Sequence, residues 1–140
     1  GALGMTGTFE IHMHCLHDTG TSTLKMLDMI GSPLLTANLD AGNMYGTPHA
    51  EEATAAIALL AGRIGYVHAK NCRRLPTGGT DYSHTLETGH LDYYRILRAL
   101  RDTGFSGHVC CEYCGLGDPS VAARQDLAYL QTTLRELGMW

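Results

Sequence analysis

The stretch PLLTANLDAGN, residues 33–43, decides the fold. Its apolar run reaches Asp40 and then breaks into Gly42 and Asn43. A short apolar run bounded by turn residues reads as a buried strand, here over about 34–39. A carboxylate at the end of such a strand is costly unless it is solvated, paired or bound to a metal. Taken alone, Asp40 therefore reads either as a turn residue or as a ligand at the mouth of a barrel.

The same strand-then-helix pattern recurs on both sides of this stretch. Before it, GMTGTFEIHMH carries a strand at residues 5–11, and TLKMLDMIG carries a helix. The helix has Leu24, Met26, Leu27 and Ile30 as its stripe and Gly31 as its stop. After it, TPHAEEATAAIALLAGR predicts a helix with Thr47 as N-cap, Pro48 in the first turn and Gly62 beyond the end. IGYVHAK is a third strand at 63–69, followed by a polar loop over 70–90 that contains PTGG. A loop of that length inside a compact domain signals function or disorder. LDYYRILRALRDTGF predicts a helix with Leu91, Tyr94, Leu97 and Leu100 on one face and Gly104 as its stop. Tyr93 and Tyr94 are expected to pack it onto the sheet, with Asp92 at its N-terminus. GHVCCEY is the fourth strand, and DPSVAARQDLAYLQTTLRELG is the last helix, with Asp118 as N-cap and Pro119 at its first position.

The order is thus βαβαβαβα, an α/β fold with a parallel sheet covered by helices. Each unit takes about 30 residues, and a whole (β/α)8 TIM barrel takes about 250. Residues 1–140 therefore read as one partial domain of four parallel (β/α) units, half a barrel. Gly1 in place of Met reads as a sign that something upstream was removed.

Composition narrows the function classes. Apolar residues make up 44% and charged residues 17%, which suits a globular chain rather than a disordered one. The net charge of −4 opposes a nucleic-acid partner, because phosphate backbones are met by basic faces. No stretch approaches the roughly 18 apolar residues of a membrane helix, and no signal-peptide pattern is visible. Five cysteines, an odd number, read as reduced thiols in a cytoplasmic protein. Eight histidines are the prominent count, since imidazole is a common metal ligand and proton carrier.

The four strand ends then gain meaning together. Strand one ends in Glu10, with His12 and His14 close behind, and strand two ends in Asp40. Strand three ends in His68 and strand four in Glu112. In a parallel (β/α) sheet the C-terminal strand ends are where active sites are built. Three carboxylates and one imidazole suit Mn, Mg or Co, with Zn also admissible. The CCEYC run has C-x-x-C spacing at Cys111 and Cys114 but no second pair, so free thiols are expected there rather than structural zinc. Gly78 and Gly79 read as points of loop mobility, and His17, His90 and Asp92 as solvated or capping residues.

FEIHMHCLHDT, NLDAGNMYG, VHAKN, GHLDYYRILRALRDTGFSGHVCCEY and DPSVAARQDLAYL, in this order and spacing, resemble the C-terminal half of the sugar phosphate isomerase/epimerase family. These are the xylose isomerase-like TIM barrels. The resemblance implies one divalent metal ion held by Glu10, Asp40, His68 and Glu112. It also implies that Glu10 and Glu112 are catalytic, moving protons on a sugar, sugar phosphate or related ketose through a metal-stabilised enediolate. His12 matches the family's E-x-H pattern, and Arg74 matches a substrate-binding arginine of related epimerases. With His14, Asn43 and Lys70, they form the expected substrate-binding set. Asn43 stands where a number of relatives carry a second histidine. The first four strands of a family barrel are absent, so the half-barrel is expected to form a homodimer or to pair with a separate N-terminal half. Two rivals remain on the same residues: a dehydratase or abasic-site endonuclease of the same superfamily, and a non-catalytic metal-binding half-barrel. The endonuclease is opposed by the acidic charge and by too few histidine ligands.

Overall fold

The structure, a computed structural model, describes residues 3–140. Four parallel strands form one sheet in the spatial order β1 (Gly7–Glu10), β2 (Leu35–Asp40), β3 (Ile64–Ala69) and β6 (His108–Cys111). The helices α1 (Gly20–Ile30), α3 (Ala53–Leu59), α4 (Tyr93–Asp102) and α5 (Pro119–Glu136) join and follow them. Each expected (β/α) unit is present, so the chain forms the partial α/β barrel read from its sequence.

Alternation along the strands divides the sheet into two unlike faces. Ala37 and Leu39 of β2, with Val67 and Ala69 of β3, are fully buried. They share one core with Leu27, Ile57, Leu97, Leu100 and Leu130 from the helices. Thr36, Asn38 and Asp40 alternate with those β2 residues, and Tyr66 and His68 with those of β3. They form the opposite, concave face. Register then aligns the strand ends, pairing Glu10 with Asn38, Asp40 with His68, and His68 with Cys110. The ladder continues past the strands, where the Ile11 N–H donates to Asn38 O (2.9 Å) and the Glu112 N–H to Ala69 O (3.0 Å).

Several expectations are corrected. Residues 41–46 are not a simple turn but a short helix, α2 (Ala41–Gly46), whose N-cap is Asp40. Thr47 consequently closes α2 instead of opening the next helix, its hydroxyl donating to Met44 O. The next helix, α3, starts at Ala53, where the Glu52 carboxylate accepts the Ala55 N–H. Gly42 within α2 allows close approach: a Cβ there would lie 2.8 Å from Lys70 O.

The supposed loop over 70–90 contains an antiparallel hairpin, β4 (Asn71–Arg74) with β5 (Thr80–His84). Gly78 and Gly79 make its turn, with φ of 87° and 82° that only glycine adopts freely. In α4, Tyr93 is buried but Tyr94 is exposed, so only the first packs onto the sheet. The helix stops fall where expected, Gly31 with φ 64° and Gly104 with φ 75°. Asp92 and Asp118 cap α4 and α5 as read.

Candidate metal centre

Each of the four strands delivers one side chain to a common point. Glu10 is the last residue of β1 and Asp40 the last of β2. His68 lies on β3, and Glu112 follows β6 by one residue. One ligand atom from each can be chosen so that all lie within 4.8 Å of one another. Opposite ligands of an octahedral cation at about 2.1 Å stand about 4.2 Å apart, so this spread suits one small divalent ion. Among the described residues, these four are the group of His, Cys, Asp and Glu side chains arranged to hold an ion. Cys111 and Cys114 join no such group, and all five cysteines are free.

His68 Nδ1 faces the carboxylates, 3.0 Å from Glu112 Oε2, 3.3 Å from Glu10 Oε1 and 3.7 Å from Asp40 Oδ2. The Lys70 ammonium lies 2.9 Å from Asp40 Oδ2 and 3.1 Å from Glu112 Oε2. Glu112 Oε2 is nevertheless buried without an aligned hydrogen-bond donor, an acceptor left open toward the cluster. With His68 neutral, as a metal ligand must be, three carboxylates against one ammonium leave about two net negative charges. The charge balance and the open acceptor both fit a divalent cation.

The ionisation of the cluster follows from burial and neighbours. Desolvation pushes the Asp40 carboxyl up, against the His68, Lys70 and Asn43 contacts that favour its charge. For Glu112, desolvation also acts upward, but Lys70 and His68 outweigh it and hold the group below the usual range. The hydrogen bond to Asp40 raises the His68 imidazole, burial opposes it, and Glu112 and Glu10 reinforce the rise. Burial acts against the Lys70 ammonium, yet Asp40 and Glu112 keep it well above the ordinary lysine range.

The residues expected to bind substrate divide into three groups. Asn43 and Lys70 are buried inside the cluster. Asn43 donates its backbone N–H to Asp40 Oδ1 (2.8 Å) and its amide to Asp40 Oδ2 (2.9 Å) and Glu10 Oε1 (3.0 Å). His12 and His14 are exposed on the β1–α1 connection. The His12 ring bonds to Met13 O, and His14 holds a left-handed backbone, φ 66°. Arg74 is exposed on β4, donating to Tyr45 O (2.8 Å) with its guanidinium 5.1 Å from the centre of the Tyr45 ring.

Three supporting roles carried no signal in the sequence. The buried Tyr93 hydroxyl donates to Lys70 O and accepts the Lys70 N–H, both at 2.7 Å, which pins the end of β3. Tyr82 of the hairpin covers Lys70, its ring centre 5.7 Å from the ammonium. Asn38 stands behind His68, its amide nitrogen 3.2 Å from Nε2. Polar residues within strands carry no periodicity signal that marks them as partners of a ligand.

The sequence profile of the xylose isomerase-like TIM barrel family matches residues 2–133.

The chain belongs to this family.

Among solved structures, a xylose isomerase-like TIM barrel protein from Mycobacterium smegmatis in complex with magnesium superposes with a TM-score of 0.81 at 22% identity. The match covers 97% of this chain and 46% of that one. An L-ribulose 3-epimerase gives a TM-score of 0.81 at 22% identity, with 97% and 49% covered. A mannonate dehydratase from Lactococcus lactis subsp. cremoris is 42% identical over 50 residues, 34% of this chain and 14% of that protein. The chain thus spans about half of the solved barrels and a smaller share of the curated dehydratase. No helix among the described residues is long and apolar enough to cross a membrane.

Proposed function

We propose that this chain carries the metal-holding half of an isomerase or epimerase acting on a sugar, sugar phosphate or related ketose. The observation that carries the reading is a difference in access within the cluster. The Glu10 and Glu112 side chains are 34% and 33% exposed, whereas Asp40 is wholly buried. A substrate entering from the concave face can reach both glutamates but not the aspartate. Asp40 is then a fixed anchor, and the glutamates are the proton carriers.

Glu10, Asp40, His68 and Glu112 would hold a divalent cation, which when bound would supply Lewis acidity toward a substrate carbonyl. Glu112, held ionised, removes the proton from the carbon beside the carbonyl, and Glu10, having first taken a proton from solvent, returns that proton. Return to the opposite face of the same carbon gives an epimer, and return to the neighbouring carbon gives the aldose–ketose isomer. Lys70 keeps Glu112 ionised, and Asn43 fixes the carboxylates of Asp40 and Glu10. Arg74, His12 and His14 lie on exposed connections from which they can meet the outer hydroxyls or phosphate of a substrate. The free thiols fit a reducing, cytoplasmic setting.

A second reading is favoured by the dehydratase similarity. Removal of the same proton followed by loss of a neighbouring hydroxyl gives dehydration. The test is Glu112→Gln, assayed for metal content and for turnover on ketoses and on sugar acids. The proposal expects retained fold, reduced metal and loss of ketose turnover by a factor of about 100 or more. Full activity in that variant contradicts the two-glutamate scheme, and turnover confined to sugar acids favours the dehydratase.

The open concave face and the edge strands β1 and β6 call for a cover. We take that cover to be a second copy or a separate N-terminal half-barrel.

A further inference from the structure

Asn38 is a buried amide on the polar face of β2, between Thr36 and Asp40. It lies two residues before Asp40 on the same face, paired with Glu10 on one side and Tyr66 on the other. It is only 5% exposed. Its amide nitrogen sits 3.2 Å from His68 Nε2, and its Oδ1 is buried without a hydrogen-bond partner. A buried orphan acceptor costs about 1–3 kcal/mol, so its retention asks for a reason.

The ring of His68 faces two environments. Nδ1 looks into the carboxylates of Glu10, Asp40 and Glu112, and Nε2 looks at Asn38. With the amide nitrogen toward Nε2, Asn38 donates, so Nε2 holds the lone pair and Nδ1 carries the proton. That tautomer points an N–H at the carboxylates and cannot ligate a cation through Nδ1. A ligating Nδ1 requires the neutral ring to carry its proton on Nε2, and that proton needs an acceptor. The unpaired Oδ1 supplies it after a half-turn of the amide about its terminal torsion. The torsion is broad and roughly two-fold, and oxygen and nitrogen are nearly equal in size. The switch therefore needs no new space.

We propose that Asn38 is a positioning residue that accepts the Nε2–H of His68 through Oδ1 and so presents Nδ1 to a divalent cation. This rests on the metal-centre reading above. Asparagine is suited to the place because either end of its amide can meet the ring, so His68 keeps a partner in both tautomers. Aspartate serves only the ligating tautomer, and leucine serves neither.

The test uses Mg2+, which is diamagnetic, with calorimetric titration and 15N-detected histidine spectra of the full chain. The wild-type protein is expected to bind the ion with His68 as the Nε2–H tautomer and that proton protected from exchange. Asn38→Leu is expected to weaken Mg2+ by about 10- to 100-fold and to lose the protected Nε2–H signal. Asn38→Asp, which keeps the acceptor, is expected to restore affinity to the wild-type level or tighter and to keep the signal. If Asn38→Leu fails to fold, Asn38→Asp alone decides: a folded aspartate variant without the Nε2–H tautomer overturns the proposal. Wild-type affinity and an unchanged spectrum in Asn38→Leu also overturn it, leaving the metal centre intact. A wild-type chain that binds no Mg2+, Mn2+ or Zn2+ removes the metal centre and this proposal together.

Discussion

The two faces of the same sheet follow opposite rules. On the convex face, Ala37, Leu39, Val67 and Ala69 vanish under the helices and share one apolar core. On the concave face, the alternate residues Thr36, Asn38, Asp40, Tyr66 and His68 are polar or aromatic, and the cluster of Glu10, Asp40, His68 and Glu112 stands at their C-terminal end. Burial of carbon surface holds the strands in place, and that register then brings the carboxylates of Glu10, Asp40 and Glu112 together despite their mutual repulsion. The comparison teaches that stability and chemistry are divided by residue parity along each strand. A substitution on one face is expected to leave the other face's property largely intact.

The largest effect expected concerns the concave face as a whole. If a second copy or an N-terminal half-barrel covers it, as proposed, sedimentation at micromolar concentration is expected to show twice the mass of one chain, or complete pairing once an N-terminal half-barrel is supplied. A well-folded, persistent monomer under both conditions breaks the comparison, because the open face would then be stable in water. Next comes the convex face. Leu39→Ala removes a fully buried side chain between the sheet and its helices and is expected to cost about 2–5 kcal/mol in denaturant unfolding. Metal affinity measured on the folded fraction is expected to stay within a few-fold of the original.

The smallest effect expected is on pH, and it acts at the concave face alone. The folded-state pKa of His68 is raised above 6.5, first by its hydrogen bond to Asp40 against the pull of burial, then by Glu112 and Glu10. In metal-free protein its stabilising share is fully present below pH 6.5 and is lost as pH rises through the raised value. A cation on Nδ1 must displace that proton, so metal affinity runs the other way. It is expected to climb by about one decade per pH unit while the ring is charged and then to level off. Melting curves with and without chelator across that window separate the two trends, which Leu39→Ala is expected to leave unchanged.

The convergence of the four strand-end residues was legible because it needed only two regularities, the period of strand and helix and the rule that strand ends converge. Glu10, Asp40, His68 and Glu112 each follow an apolar run, so alternation alone put them at one end. The hairpin was not legible, because NCRR and TDYSH lack the apolar alternation that marks a strand. Their pairing depends on a Gly-Gly turn and on Tyr82 lying over Lys70. Helix α2 was hidden for a related reason. Six residues carry too little periodicity, and its start is set by the Asp40 carboxylate taking the Asn43 N–H. Tyr93 read as a packing residue, and only the structure shows its hydroxyl closing both backbone bonds of Lys70. Asn38 had no sequence signal, since its meaning lies in the ring nitrogen it faces.

The central claim is that the four strand-end residues form one divalent metal centre. Its most direct test is a calorimetric titration of the purified, chelator-stripped chain with Mn2+, set beside the Asp40→Asn variant. The expected result is one ion per chain in the wild type, with affinity reduced at least about 100-fold in a folded Asp40→Asn protein, because the one fully buried carboxylate has lost its charge. Absence of stoichiometric binding in the wild type, or equal binding in the variant, contradicts it.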